Sequence, residues 1–150
     1  KANQGDTGAQ LMLGIMYAKG VDLDLDFKEA AKWYRKAADN GNAQAQFYYG
    51  SLLVIGNGVS RNGEEALKWF LQSAEQGYAE AQYQLALNDV DNHNFVDAYK
   101  WITLAYCNSS FETHKKYSEL KEIITKELSS AQMIQATKEA KLIRKKFKKA

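Results

Sequence analysis

The sequence predicts an all-α fold: a right-handed α/α solenoid of about three helix-pair repeats, followed by a two-helix C-terminal cap. Two observations predict it. The sequence matches itself when it is shifted by 36 residues, and the 150 residues contain no proline. Self-similarity at a period of about 20–50 residues is typical of stacked helical units. The absence of proline favours uninterrupted helices, because every backbone amide within a turn can donate.

Composition excludes several protein classes. Hydrophobic residues make up 45% and charged residues 25% of the chain, a globular balance that fits neither a disordered segment nor a membrane-embedded one. No apolar run approaches the ~20 residues that a membrane-spanning helix needs. The formal charge of +2 is too small to indicate a partner. We predict a single helical-repeat domain over residues 1–150.

The first repeat, predicted at about residues 5–41, is a helix pair. Its apolar residues recur at three- and four-residue spacings, as on one face of an α-helix. The second helix begins with a capping pattern, Asp26 followed by Glu29, and Gly41 follows its end. The apolar positions are Leu13, Met16, Tyr17, Ala30, Trp33, Tyr34 and Ala37.

Two further repeats are predicted at about residues 42–77 and 78–109. In each, an asparagine at the cap position, Asn62 or Asn94, is followed three residues later by an acid. The third repeat has a shortened loop, so its second helix matches the preceding one at a step of 32 residues. Its loop geometry therefore differs from that of the other two repeats.

A structural signature recurs in all three repeats. A small residue on the first helix would allow the neighbouring helix to approach closely, and we expect this space to receive the recurrent tryptophan of the second helix. Replacing Trp33 or Trp69 by alanine is then expected to lower the free energy of unfolding by about 3–5 kcal/mol. We expect cooperative unfolding to be lost before binding is lost. The signature residues are Gly14, Gly50 and Ala86 on the first helices, and Trp33, Trp69 and Trp101 on the second.

Two capping helices are predicted at about residues 110–149. Ser109 with Glu112 opens one, and Ser129 with Gln132 opens the other. Because the end of a solenoid otherwise exposes its apolar surface, we expect the outer face of this pair to be polar. The apolar positions are Tyr117, Leu120, Ile123 and Ile124 on one helix, and Met133, Ala136, Ala140, Ile143 and Phe147 on the other.

The segments AQLMLGIMYAKG and KEAAKWYRKAADNG, with AQFYYGSLLVIGNGV and EEALKWFLQSAEQG, resemble the Sel-one-like repeat, a relative of the tetratricopeptide repeat. The third copy departs from the pattern at Ala86 and in its loop, while DAYKWITLAY keeps the second-helix pattern. The resemblance runs from about Gly5 to Tyr106 and implies a bacterial protein that acts as an adaptor. Within the family it also implies a second role: exported immunity proteins that neutralise a secreted toxin, often a lipase.

The expected partner is another protein or a peptide, bound in the concave groove that the first helices would form. Specificity can reside at positions that vary between repeats while the framework stays constant. Tyr48 is the favoured anchor because tyrosine combines a large contact area with a polar tip. Ile15 and Ile55 are equally compatible with packing between repeats. The groove positions are Met12, Ile15, Lys19, Tyr48, Ser51, Ile55, Gln84 and Asn88.

A calcium site is considered because Asp22, Asp24 and Asp26 alternate as at the start of a calcium-binding loop. The match then fails: Phe27 stands where the sharp turn needs glycine, and Trp33 where a bidentate glutamate would close the coordination shell. We expect no metal or other cofactor, and we assign Asp26 to the helix cap.

Catalytic motifs are absent from the sequence. His93 and His114 lie in different units with no nucleophile–base spacing, and surface positions are expected for both. The single cysteine, Cys107, is expected to be a small buried hydrophobe. We therefore expect no enzymatic activity and no small-molecule substrate.

The C-terminal helix carries seven basic residues between Lys138 and Lys149 and one acid, Glu139. The simplest interpretation is a solvated outer face. Attachment to an anionic membrane and contact with an acidic protein remain open. Nucleic acid is disfavoured because the interleaved aromatic residues of a stacking platform are missing apart from Phe147. The basic tail comprises Lys141, Arg144, Lys145, Lys146, Lys148 and Lys149.

The chain begins at Lys1 with KANQGD, which resembles the end of a helix. We expect that a segment preceded it, whether a signal peptide, an earlier part of the protein or an expression tag. A signal peptide would place the protein in the periplasm or outside the cell, and otherwise a cytoplasmic location is expected.

Overall fold

The structure, a computed structural model, describes residues 6–149, apart from the side chain of Lys149. These residues form eight α-helices and contain no strand, as the sequence predicts. Gly5, the predicted start of the first repeat, lies outside the described residues. The helices are α1 (Thr7–Lys19), α2 (Phe27–Asp39), α3 (Ala43–Ile55), α4 (Gly63–Glu75), α5 (Ala79–Asp91), α6 (Phe95–Cys107), α7 (Phe111–Thr125) and α8 (Ser130–Lys149).

The helices belong to two compact units, Lys1–Ser73 and Ala74–Ala150. The first unit holds α1, α2, α3 and most of α4. Within it α2 packs against both α1 and α3. The second unit holds the end of α4 and the four helices that follow, and in it α6 packs against α5, α7 and α8.

The loop inside each helix pair closes with the same backbone bond. The amide of the residue before the second helix donates to a carbonyl near the end of the first helix. The N···O distances are 3.0 Å from Asp26 to Tyr17, 2.9 Å from Asn62 to Leu53 and 2.8 Å from Asn94 to Asp89. The short third loop therefore keeps the closing bond of the longer loops.

Side-chain caps are present in two of the three predicted places. Asp26 and Asn62 each accept a hydrogen bond from the backbone amide three residues on, at 3.1 Å in both cases. Asn94 makes no such bond, because its amide donates to Asp97 Oδ2 at 2.7 Å instead. The capping prediction is confirmed for the first two repeats and wrong for the third.

The glycines of the first helices lie against aromatic rings of the second helices. A Cβ on Gly14 would overlap the ring of Tyr34, and a Cβ on Gly50 would lie 2.8 Å from Phe70 Cε1. Tyr34 and Phe70 directly follow the recurrent tryptophans and are buried. The prediction that the tryptophan fills this space is therefore wrong, since the next residue along the helix does so.

The tryptophans differ between the repeats. Trp33 and Trp69 are half-buried, whereas Trp101 is buried. Lys36 Nζ lies 4.5 Å from the centre of the Trp33 ring, and Trp69 Nε1 donates to Glu65 at 3.3 Å. Two of the three rings are thus partly exposed and in contact with charged side chains.

A buried glutamine recurs on each first helix, at Gln10, Gln46 and Gln82. Gln46 Nε2 donates to the carbonyl of Ala38 at 3.2 Å, and Gln82 Nε2 donates to the carbonyl of Ala74 at 3.0 Å. These acceptors lie near the ends of the preceding second helices, whose last carbonyls have no partner within their own helix. The glutamine therefore links consecutive helices with a buried hydrogen bond.

The last two helices begin close to the predicted positions. Ser129 and Gln132 form the predicted reciprocal cap, with bonds of 2.9 and 3.3 Å. The other cap is wrong by one residue, because α7 starts at Phe111 with Ser110 before it, while Ser109 Oγ donates to the carbonyl of Tyr106.

The apolar stripes of α7 and α8 mostly face the protein. Tyr117, Leu120 and Ile124 are buried, whereas Ile123 is exposed because it lies one step round the helix from Ile124. Every residue of the predicted α8 stripe is at least half-buried, with Ala136 and Ala140 buried.

The outer face of this pair is not polar throughout, contrary to expectation. The exposed large apolar side chains of α7 and α8 are Phe111, Ile123, Ile134 and Leu142.

Candidate functional site

The variable positions of α1 and α3 form the first candidate surface, called here the α1–α3 surface. Met12 and Ile55 are 56% and 66% exposed, and Lys19 is also exposed. Ile15 is half-buried, as is Ser51, whose Oγ donates to the Phe47 carbonyl one turn earlier at 2.9 Å. The serine hydroxyl is therefore used by its own helix. The surface comprises Met12, Ile15, Lys19, Tyr48, Ser51 and Ile55.

Tyr48 is held in place from two directions. Its ring centre lies 5.2 Å from that of Tyr34, and its hydroxyl accepts a hydrogen bond from Gln44 Nε2 at 3.0 Å. Tyr34 also covers Gly14, so one side chain of α2 contacts both α1 and α3. Burial, and then the proximity of Tyr48, raise the pKa of Tyr34 to about 12, so this phenol stays neutral.

The other two variable positions lie on α5 in the second unit. Gln84 and Asn88 are both half-buried, and the carbonyl of Asn88 accepts a hydrogen bond from Asn92 Nδ2 at 2.8 Å.

A second surface of the first unit, along α2, was missed by the sequence interpretation. It is a groove of about 380 Å³ with an apolar floor that includes Ala31 and Val59. Arg35 lies along one side of the groove. Its Nη1 atom donates to the Tyr49 hydroxyl at 3.2 Å and lies 3.6 Å from Glu65 Oε1. The hydrogen bond to Tyr49 is the main cause that raises the pKa of Arg35 above its ordinary value. The cations that line the groove are Lys28, Lys32, Arg35 and Lys36.

The repeat pattern does not predict the α2 groove, because the cations that line the groove do not recur. The matching stretch of α4 has Glu64, Leu71 and Gln72 where α2 has Lys28, Arg35 and Lys36. Its far wall comes from the loop after α3. Gly58 of that loop has φ of 72° and touches the backbone of Phe27 so closely that a Cβ would overlap the carbonyl.

The basic tail lies along α8 in the second unit. The side chains of Lys141, Arg144, Lys145, Lys146 and Lys148 are exposed, while that of Lys149 lies outside the described residues. Lys138 is exposed on the same helix. None of these six cations forms an ion pair with another residue in the part of the chain that the structure describes.

A serine hydroxyl and an imidazole come together between α6 and α7. Ser109 Oγ lies 3.0 Å from His114 Nδ1, and the same hydroxyl donates to the Tyr106 carbonyl at 2.7 Å. The Ser109 hydroxyl proton therefore points to the end of α6 and away from the imidazole. The serine thus caps a carbonyl at the end of the helix. His114 and His93 are exposed, as expected.

Cys107 is exposed, so its predicted burial is wrong. It is the last residue of α6, and the same repeat position carries the exposed acids Asp39 and Glu75 in the earlier repeats. Among residues 6–149, no cluster of histidine, cysteine and acidic side chains is arranged to hold a metal ion. Within the same range, no helix has the length and apolarity needed to cross a membrane.

Comparison with known families identifies the repeat. The family model described as the Sel1 repeat matches three consecutive segments, residues 7–42, 43–78 and 79–110. The chain belongs to the Sel1 repeat family. Sel1 repeat proteins commonly act as protein-interaction scaffolds, and their fold is generally non-catalytic. The predicted all-α repeat fold is confirmed.

Two solved bacterial structures are similar to this Sel1 repeat chain. A Sel1 repeat protein from Oxalobacter formigenes is 33% identical with a TM-score of 0.68, and the match covers 71% of this chain and 46% of that one. A protective antigen of uropathogenic Escherichia coli that displays an SLR fold is 25% identical with a TM-score of 0.72, covering 97% and 39%. The chain therefore spans less than half the length of either. Among curated proteins, the sequence has no significant match.

Proposed function

We propose that the chain is a non-catalytic scaffold that binds a protein or peptide through the α1–α3 surface. The observation that carries the proposal is the exposure of two large apolar side chains, Met12 and Ile55, at positions that vary between repeats. Apolar side chains in contact with water lose this contact when a partner covers them, and the burial of their apolar surface favours binding.

Tyr48 supports the same surface for a different reason. Its contacts with Tyr34 and Gln44 already fix the ring, so little side-chain entropy is lost on binding. A tyrosine held in this way offers a rigid apolar edge beside the exposed aliphatic residues. Lys19 adds a charged rim, which contributes more to the rate and specificity of association than to affinity.

Substitution of the exposed residues tests the proposal. A partner captured with the unmodified chain from extracts of the source organism is purified and titrated calorimetrically against variants. Met12→Ser and Ile55→Ser are each expected to weaken binding about tenfold, which corresponds to about 1.4 kcal/mol.

Leu71→Ser is the matched control, because Leu71 is a 41% exposed aliphatic residue on α4, a helix that contributes no residue to this surface. It is expected to leave the dissociation constant unchanged. Equal affinities for Met12→Ser, Ile55→Ser and the unmodified chain would show that the partner binds elsewhere. Circular dichroism of each variant verifies that the helices are retained.

A further inference from the structure

The outer face of α8 combines positive charge with exposed apolar side chains. Ile134 and Leu142 are 58% and 60% exposed, and Lys138 lies between them at four-residue spacing, so the three share one side of the helix. Lys141 and Lys145 run alongside them. Glu139, the one acid between Lys138 and Lys149, is half-buried and accepts a hydrogen bond from Gln135 Nε2 at 3.1 Å.

A groove of about 340 Å³ runs beside this face, between α8 and α6. The hydroxyl proton of Thr137 is not directed into the groove, because Thr137 Oγ1 donates a hydrogen bond to the Met133 carbonyl one turn earlier, at 2.7 Å. A further cation approaches the groove from α7, since Lys121 Nζ lies 5.5 Å from the centre of the Tyr99 ring. The groove is lined by Tyr99, Met133, Ile134, Thr137, Lys138 and Lys141.

We propose that this groove and the outer face of α8 bind an acidic segment of a partner protein that carries an apolar residue next to its carboxylates. The apolar side chain enters the groove against Tyr99 and Met133, and the carboxylates pair with Lys138 and Lys141. Six exposed cations with no ion-pair partner in the described part of the chain provide the charge complementarity. This surface is separate from the α1–α3 surface and does not rest on the function proposed above.

The structure favours a protein segment over the two other polyanions. A membrane-surface helix buries its apolar stripe in lipid, but Ala136 and Ala140 of α8 are already buried in the protein. A single-stranded nucleic acid needs exposed aromatic rings on which bases stack, and Tyr99 and Phe147 are both half-buried. An open groove of about 340 Å³ with apolar and basic lining instead suits an apolar side chain with carboxylates beside it.

Peptide selection on the full chain tests the proposal and does not require the natural partner. A phage-displayed library of random linear peptides is selected on the unmodified chain and depleted on a variant carrying Ile134→Ser, Lys138→Glu and Lys141→Glu. The depletion removes peptides that bind the α1–α3 surface. We expect the recovered peptides to contain a cluster of aspartate or glutamate beside leucine, isoleucine or phenylalanine.

Single variants then locate the binding site of the recovered peptide. Ile134→Ser and Lys138→Glu are each expected to weaken it about tenfold by fluorescence anisotropy. Lys126→Glu is the control for charge, because Lys126 is exposed on the same unit but pairs with Glu122, and it should change affinity less than twofold. Far-ultraviolet circular dichroism confirms that each variant keeps its helices.

Three results would overturn the proposal. One is the absence of an acidic consensus among the selected peptides. Another is an affinity that depends on Lys138 but is indifferent to Ile134→Ser, which would mean charge attraction without an occupied groove. The third is binding of phosphatidylserine-containing vesicles or of a single-stranded oligonucleotide, with loss on Lys138→Glu, that exceeds binding of every selected peptide.

Discussion

Each first helix carries a small residue, and its size is complementary to that of one residue on the second helix. Gly14 faces Tyr34 and Gly50 faces Phe70, and a Cβ at either glycine would collide with the ring. In the third repeat, the same two positions hold Ala86 and Ile102, both fully buried. An extra methyl group on one helix thus accompanies a smaller side chain on the other, which preserves close packing.

This size relation predicts the outcome of a double-mutant cycle. Gly50→Ala alone should destabilise the protein by about 1–3 kcal/mol, because the added methyl overpacks the site against Phe70. In a Phe70→Ile background, the same change should cost much less, since the pair then matches the third repeat. Urea denaturation of the four proteins measures the coupling. Additive effects would mean that the two residues are not matched.

Asp89 makes stability depend on pH. Burial, and then the neighbouring Asp97, raise its pKa to about 6, with Lys100 opposing the shift. Since the folded-state pKa lies above the unfolded value of about 4, the destabilisation due to Asp89 is absent below about pH 4. It grows between about pH 4 and pH 6 and stays constant at higher pH. Asp97 acts in another range: the hydrogen bond from Lys100 lowers its pKa, so its stabilising contribution is lost only in stronger acid.

Asp89→Asn is therefore expected to raise the free energy of unfolding at pH 7 by about 1 kcal/mol, after allowance for solvent screening of a carboxylate that is only partly buried. At pH 4 the variant and the unmodified protein should be equally stable. Urea denaturation across this range provides the measurement. Asp91→Asn, at an exposed position on the same helix, is the control. A stability difference for Asp89→Asn that does not change with pH would contradict the assignment.

At the scale of the helices, the repeat pattern locates the elements but does not separate buried from exposed faces at every turn. The positions of Asp26 and Asn62 in the repeat locate the helix caps and the loop-closing bonds. The glycines that follow the second helices, Gly41 and Gly77, recur at the same spacing. The recurrent tryptophan led to a wrong prediction of the core residue, because a ring can recur between repeats for reasons other than burial. At Trp33 and Trp69 the ring lies beside charged side chains, and the adjacent aromatic residue fills the core. Distinguishing neighbours in sequence requires the direction of each side chain, and spacing alone gives this only approximately.

The tryptophans are therefore expected to differ in their effect on stability. Trp101→Ala should cost about 3–5 kcal/mol, because it removes a buried ring. Trp33→Ala should cost less than half as much, since its ring is partly exposed already. Thermal and urea unfolding of the two variants provide the comparison. Equal losses would indicate that Trp33 contributes to the core as much as Trp101.

At the scale of the whole molecule, the fold class could be predicted because the period of 36 residues occurs twice and proline is absent. The candidate surfaces could be predicted only in part. The variation of Met12 and Ile55 between repeats marks them as positions free to specify a partner, and their exposure agrees with this. The groove beside α8 combines Tyr99 with Met133, and no repeat relates these two positions. Such a site arises from the packing of helices distant in sequence.

Site-specific photo-crosslinking shows directly whether a protein partner binds the α1–α3 surface. A benzophenone side chain is placed at Ile55 or, as the control, at Leu71, and each protein is irradiated with the captured partner. We expect a covalent adduct from position 55 and none from position 71. Crosslinking from position 71 with none from position 55 would contradict the claim.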